Sequence, residues 1–375
     1  RDSDYTVSFT FPFVTPTAIE MLSQIFIMPE HIYKDVTDFE HNDYNMNSVG
    51  TGPYKLVDYQ SGSYLKFEAN ENYYKGEPSI KNVVFQIIEN ADTAILALQN
   101  GEVDAYQMTP QQVKKLDLDA SNLTAYSYTE GRVGYLQINC NRVTDENVRK
   151  ALLFAMDRKA MDDAAFESDE YYSIPYTFLP TNSQFYTEDG VEKYEQDVDK
   201  AKSMLEEAGV SGLKLKLGYI SSDAVQSAQA LLIQEQLQEV GVTVELAGGD
   251  GTAIANAMKD PDNEYDMYLG GYIMGIDPDT FSSLFENDGA YNYMHYSGYD
   301  TIDQLFEEGR SELDESARKE TYAKLQAAVQ DTGAFYPIIS NNKILVVNNR
   351  IQGVEDAGLV PVYTFEDTSS LKIAE

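Results

Sequence analysis

Metal and catalytic chemistry need particular residues at particular spacings, and this chain offers few of them. Its three histidines, His31, His41 and His295, include no pair four residues apart on one helix face. The run Asp260-Pro261-Asp262-Asn263-Glu264 has the oxygen density of a calcium loop. Its sixth position, however, is Tyr265 where the tight turn calls for glycine, so it reads as a solvated acidic turn. Cys140 is alone, which excludes an intrachain disulfide and a zinc site built on several thiolates. Gly-x-Ser-x-Gly, Walker and Gly-x-Gly-x-x-Gly motifs are all missing, and Gly50-Thr51-Gly52 runs into Pro53 and a strand, the wrong context for cradling phosphate. With 62 Asp and Glu, carboxylate pairs arise by chance and carry no weight for glycosidase chemistry. The sequence therefore predicts neither catalytic residues nor a metal or cofactor. More informative are 28 tyrosines with no tryptophan. A tyrosine presents a flat apolar face with one hydroxyl, which suits a cleft gripping varied ligands, although most such rings pack in or beside a core.

Size and charge bound what such a surface could serve. At 375 residues the chain is long enough for two to three domains of about 150 residues each. Lys and Arg number 27, giving a net charge of −35, a field that repels nucleic acid and anionic membrane surfaces. Hydrophobic residues at 43% suffice for a packed core, so the acid is expected on the surface. No stretch approaches the roughly 18 apolar residues of a membrane span. The chain reads as soluble, with any export signal or anchor expected upstream of Arg1.

The elements alternate between strand and helix. Tyr5, Val7, Phe9 and Phe11 alternate as in a strand over 5–13, and 17–28 reads as a helix stopped by Pro29. A hairpin joins 54–57 to 64–67, a strand follows at 83–88, and a helix at 92–99 has Asn90 or Asp92 as N-cap and Gly101 past its end. Beyond Arg132 come a strand over 133–139, a helix over 146–157, a Tyr-rich loop, and a helix over 199–208. The strand–helix–strand order across 213–217, 224–240 and 242–246 predicts a crossover onto a parallel sheet. A strand at 266–269, helices at 278–285 and 317–329, and a β-rich stretch over 336–360 complete the pattern.

Several of these segments, in order, resemble the extracellular solute-binding proteins of peptide-type ABC importers, family 5. Gly50-Thr51-Gly52-Pro53-Tyr54 is similar to that family's GTGPY turn, and Asn70 to Pro78 to the element after it. Asn100-Gly101-Glu102-Val103-Asp104 resembles a helix end of the family. Gly134 to Asn139, Val148-Arg149-Lys150-Ala151-Leu152 and Ala155-Met156-Asp157-Arg158 resemble the strand and helix entering its second lobe. Asp199 to Gly209 and Tyr265 to Asp279 match further on. The resemblance implies an α/β fold of the periplasmic-binding-protein type (type II, peptide-binding subgroup), with two mixed lobes joined by a hinge. Lobe I would take 1–132 and 337–375, and lobe II 133–336, with hinges near Arg132–Val133 and Ala334–Pro337. It further implies a lobe I lacking an N-terminal segment, an extracytoplasmic location (lipid-anchored at the cell surface, or periplasmic), and a monomer. Its partners would be a solute and an ABC permease in the membrane, not nucleic acid.

Ligand contact is expected in the loop 270–279, with Tyr272, Ile273, Met274, Gly275 and Asp277, together with Tyr135 on the crossing strand, as candidate binding residues. Where peptide-binding members carry an Asp for the peptide's α-amino group this chain has Met274, and Asp277 doubles as the N-cap of a helix with Pro278 at its first position. Tyr272 stands where the family has Trp, and Arg149 and Asp303 read as structural. Peptides, basic or hydrophobic, are the first expectation for cargo, and oligosaccharides the second, ahead of nickel or haem. A peptide or sugar hydrolase on a similar frame, or a sensing receptor without transport, are the contrasting readings.

Overall fold

The structure is a computed structural model that describes Ser3 and residues 5–23, 25–166, 168–273, 275 and 277–374, apart from the side chain of Glu20. The chain divides into two compact units, Arg1–Met21 with Gly131–Asn342 and Leu22–Glu130 with Lys343–Glu375. Strand β11 (Phe335–Asn348) begins in the first and ends in the second.

In the smaller unit, β1 (Tyr54–Gln60), β2 (Tyr64–Ala69) and β3 (Asn82–Gln86) form an antiparallel sheet. Gly62, at φ 72°, supplies the left-handed residue in the β1–β2 turn. Helix Ala91–Gln99 starts at Asn90, whose side chain accepts from the Thr93 amide at 2.9 Å, and is followed by Gly101 at φ 73°. Strand β4 (Ala105–Met108) pairs antiparallel with Ile344–Val347, while β5 (Leu123–Thr129) places Tyr128 in a small core with Leu345, Val347 and Val354.

The larger unit is built on β6 (Val133–Ile138), β8 (Lys214–Ile220), β9 (Thr243–Gly249) and β10 (Met267–Tyr272), in the order β11-β6-β10-β8-β9. The short β7 (Tyr172–Ser173) pairs with β11 at Ser340 and Asn341. Strands β8 and β9 run parallel in continuous register from Lys214↔Thr243 to Ile220↔Gly249, joined by helix Ala224–Glu239, as the strand–helix–strand pattern requires. Strand β10 is parallel to β8 and antiparallel to β6.

Side-chain alternation along β6 and β10 divides two cores. Leu136, Ile138, Met267 and Leu269 face one core, with helices Glu146–Phe154, Arg158–Phe166, Val198–Glu207 and Ala224–Glu239. Val133, Tyr135 and Tyr272 face the other, with Asp300–Ser311, Glu315–Asp331 and a cluster of Phe178, Phe281, Phe285, Phe306 and Phe335. Each fully buried ring there contributes roughly 1.5–3 kcal/mol from apolar area removed from water.

Three expectations are corrected. Residues 5–13 form no strand among the described residues. An isolated bridge joins Ser3 to Thr6, and Tyr5, Phe9 and Phe13 are exposed, because alternation without a neighbouring strand leaves the ladder bonds unmade. The helix over 146–157 stops at Phe154, and a second begins at Arg158 with the Asp157 carboxylate accepting from the Ala160 amide at 3.1 Å. The strand expected at 266–269 continues to Tyr272, so Gly270, Gly271 and Tyr272 belong to the sheet and not to a loop.

Candidate functional site

Strand β10 ends at Tyr272, and a 3-10 turn, Pro278–Phe281, and a short helix, Ser282–Phe285, come next among the described elements. The C-terminal end of a sheet strand is where ligands of α/β proteins commonly bind. Ile273 is 42% exposed, and Gly275 is exposed at φ 90°, a conformation that favours glycine. Met274, a third candidate, lies outside the described residues.

The other three candidates are anchors beneath this loop. Tyr272 is buried, its hydroxyl donates to the Phe178 carbonyl at 2.8 Å, and its ring lies 5.1 Å from Tyr135 and 5.1 Å from Phe281. Tyr135 packs between Tyr272 and Phe335, and burial raises both phenols well above their usual range. Its ring occupies the space over Gly270, its cross-strand partner, where an added Cβ would stand 2.7 Å from the ring. Asp277 accepts from the Asp279 amide at 3.0 Å, as an N-cap should. Both its oxygens also accept from Arg318 Nη2, at 3.1 and 3.0 Å, in a buried ion pair. Asp279 is held likewise by Arg310 Nε at 2.9 Å, although burial still raises its carboxyl above the usual range. The two acids of the Asp-Pro-Asp motif are thus neutralised from the last turn of Asp300–Ser311 and the first turn of Glu315–Asp331.

Arg149 and Asp303 take the structural roles read from the sequence. Arg149 is buried and donates to the carbonyls of Val143, Thr144 and Thr332, and Asp303 accepts from the Asn287 amide. Burial pushes the Cys140 thiol up to about 11, which leaves it protonated and unreactive at neutral pH. Among the described residues there is no group of three or more His, Cys, Asp and Glu placed to hold a metal ion.

Arg132 was named in the sequence only as a hinge position. The structure places it against the β6–β10 pair, over the cross-strand partners Gly134 and Gly271. No short motif marks this. It depends on a strand register that brings two glycines, 137 positions apart in sequence terms of no pattern at all, face to face.



The fold and this strand-end loop define a class: a mixed α/β protein of the periplasmic-binding-protein type. The chain belongs to the bacterial extracellular solute-binding proteins, family 5, whose middle region is matched by residues 1–293. It is similar to the ABC transporter substrate-binding protein CtaP of Listeria monocytogenes, at 37% identity and a TM-score of 0.93, covering 98% of this chain and 75% of that one. It is also similar to the oligopeptide-binding protein AppA of Bacillus subtilis, at 27% identity over 86% of this chain and 63% of that protein. A third relative is the nickel-binding periplasmic protein of Escherichia coli, at 24% identity over 86% of this chain and 65% of that protein. The chain spans about three fifths of the length of the curated relatives it matches. Their names cover different cargo, so membership of the family leaves the solute open.

Proposed function

We propose that the protein is the substrate-binding component of an ABC importer, which captures a peptide-like solute and delivers it to a membrane permease outside the cytoplasm. The observation that carries this reading is the likeness to CtaP at 37% identity and a TM-score of 0.93, whose name is that of an ABC transporter substrate-binding protein. Ile273 and Gly275 would make the contact, one through an exposed apolar side chain and the other through a backbone that ligand can approach closely. Met274 would add an adaptable apolar wall. Tyr272, Tyr135 and Asp277 would act from behind, fixing the strand end and the helix start between which the loop is hung. Capture by closure of the two units belongs to the same proposal, since a ligand drives closure only by binding the closed state better than the open one.

Native mass spectrometry after incubation with a random tetrapeptide pool tests it, alongside an assay for peptide cleavage. Stoichiometric retention without products supports the reading. Retention of nothing from the pool, or repeated turnover, overturns it.

A further inference from the structure

The chain carries 62 acidic and 27 basic residues, so a cation near the sheet has acidic neighbours in excess. Most arginines of the larger unit are engaged: Arg142 with Asp266, Arg310 with Asp279 and Glu286, and Arg318 with Asp277. Arg149 donates to carbonyls and to the Tyr299 hydroxyl, and Arg158 donates to carbonyls from Nε and Nη1 while its buried Nη2 finds no partner among the described residues. Arg132 differs. It is half-buried, and among the described residues it has neither an ion-pair partner nor a hydrogen-bond acceptor.

Its position is nonetheless defined. Gly134 and Gly271 are direct partners across the β6–β10 ladder. A Cβ added to Gly271 would stand 2.7 Å from Arg132 Nε and nearer still to Cζ and Nη2, and one on Gly134 would meet Ile339 Cγ2 at 2.8 Å and Arg132 Nη1 at 3.3 Å. Two facing glycines therefore make a flat backbone floor on which the guanidinium lies. Gly271 is exposed, so the floor opens to solvent, and the exposed Ile273 lies only two residues further on. The charge also acts on its surroundings: Arg132 opposes the rise that burial imposes on the Tyr135 and Tyr268 phenols. A guanidinium that has lost part of its hydration and gained no counter-charge is costly by itself. Its planar fork matches a carboxylate through two parallel N–H···O bonds.

We propose that Arg132, seated on the Gly134–Gly271 pair at the foot of the Ile273–Gly275 loop, recognises a carboxylate of the bound solute. This rests on the solute-binding reading and deepens it, by assigning the polar contact that Met274 cannot make to the opposite charge. The carboxylate could be a peptide's C-terminus or an acidic side chain, and the pools below separate these sources.

Two measurements on the full chain test the proposal. The first compares native mass spectra after incubation with tetrapeptide pools made as free acids, as C-terminal amides, and as C-terminal amides containing one Glu. Wild type retains free acids at least tenfold over plain amides if the C-terminus is read. It retains the Glu-containing amides by the same margin if a side chain is read. Arg132→Gln abolishes that preference, and Arg132→Lys keeps part of it. Equal retention of all pools by wild type overturns the proposal, as does a preference that survives Arg132→Gln.

The second measurement needs no peptide affinity. The Arg132 Nε–Hε resonance, assigned by its loss in Arg132→Lys, is followed by nitrogen-15 NMR during titration with N-acetylglycine and with its neutral amide. A saturable shift with the acid alone supports the carboxylate seat, and no shift overturns it. Such a shift combined with no retention from any pool upholds the seat and instead sinks the peptide reading.

Discussion

At the scale of single residues, the loop's acids work by being neutralised rather than by being free. Asp277 and Arg318 are each about one tenth exposed, so their attraction is little screened, and removing either strands the other charge in a poorly solvated place. Arg318→Met should cost about 3–5 kcal/mol in urea unfolding, and adding Asp277→Asn should restore part of it. A loss under about 1 kcal/mol for the single variant would mean the pair is not buried as described. The two glycines of β10 should part company in the same assay. Gly270→Ala drives a Cβ to 2.7 Å from the enclosed Tyr135 ring and should cost about 1–3 kcal/mol. For Gly271→Ala the three atoms nearest the new Cβ all belong to the movable Arg132 side chain, so its effect should fall on the Arg132 NMR resonance far more than on stability. Asp162 is fully buried, and desolvation raises its carboxyl well above the ordinary 3.8, with Gln229 and Arg158 offsetting this only in part. The folded state then holds a proton that the unfolded chain releases above pH 3.8, so this residue's contribution to stability falls as pH rises from there towards the folded value. Asp162→Asn should match wild type at the acid end and gain on it steadily with rising pH, and urea midpoints across that range will show whether the gap opens.

At the scale of elements, the strand–helix–strand unit was readable because its signals are local. Alternation at Leu213, Leu215 and Leu217, a helical stretch over 224–240 and the strand after it are each visible within a few residues. Asp223 accepts from the amides of Val225 and Gln226 at 2.9 and 3.1 Å. Asp223→Ala should therefore cost about 0.5–2 kcal/mol, and Asp223→Ser much less, by thermal or urea unfolding. Residues 5–13 carry an equally good alternation, but no strand forms there, since a strand is made by its neighbour as much as by itself. The same dependence hid the true length of β10. Gly270 and Gly271 read as loop by composition, yet Tyr135 and Gly134 across the ladder keep them in the sheet. That shift of three residues is what turns Tyr272 from a loop residue into a buried anchor.

At the scale of the whole molecule, the charge of −35 dominates. Self-repulsion of that size opposes compaction, and salt screens it with a Debye length of about 10 Å at 0.1 M. The melting temperature should rise as sodium chloride goes from about 10 mM to about 300 mM, and a flat or falling curve would show that paired charges outweigh the repulsion. The same field disfavours approach by anions, so a carboxylate-bearing solute needs a local cation, the role assigned to Arg132. Sequence alone determined the family and its α/β class, because ordered motifs and helix caps are short-range patterns that survive without knowledge of the fold. It also pointed to the 270–279 segment. Which of those side chains meet solvent, which are spent on Phe178 and Arg318, and that the Arg132 guanidinium rests on two glycines, were decided only by tertiary structure. Burial and cross-strand register join residues far apart along the chain, and no local pattern encodes who will face whom.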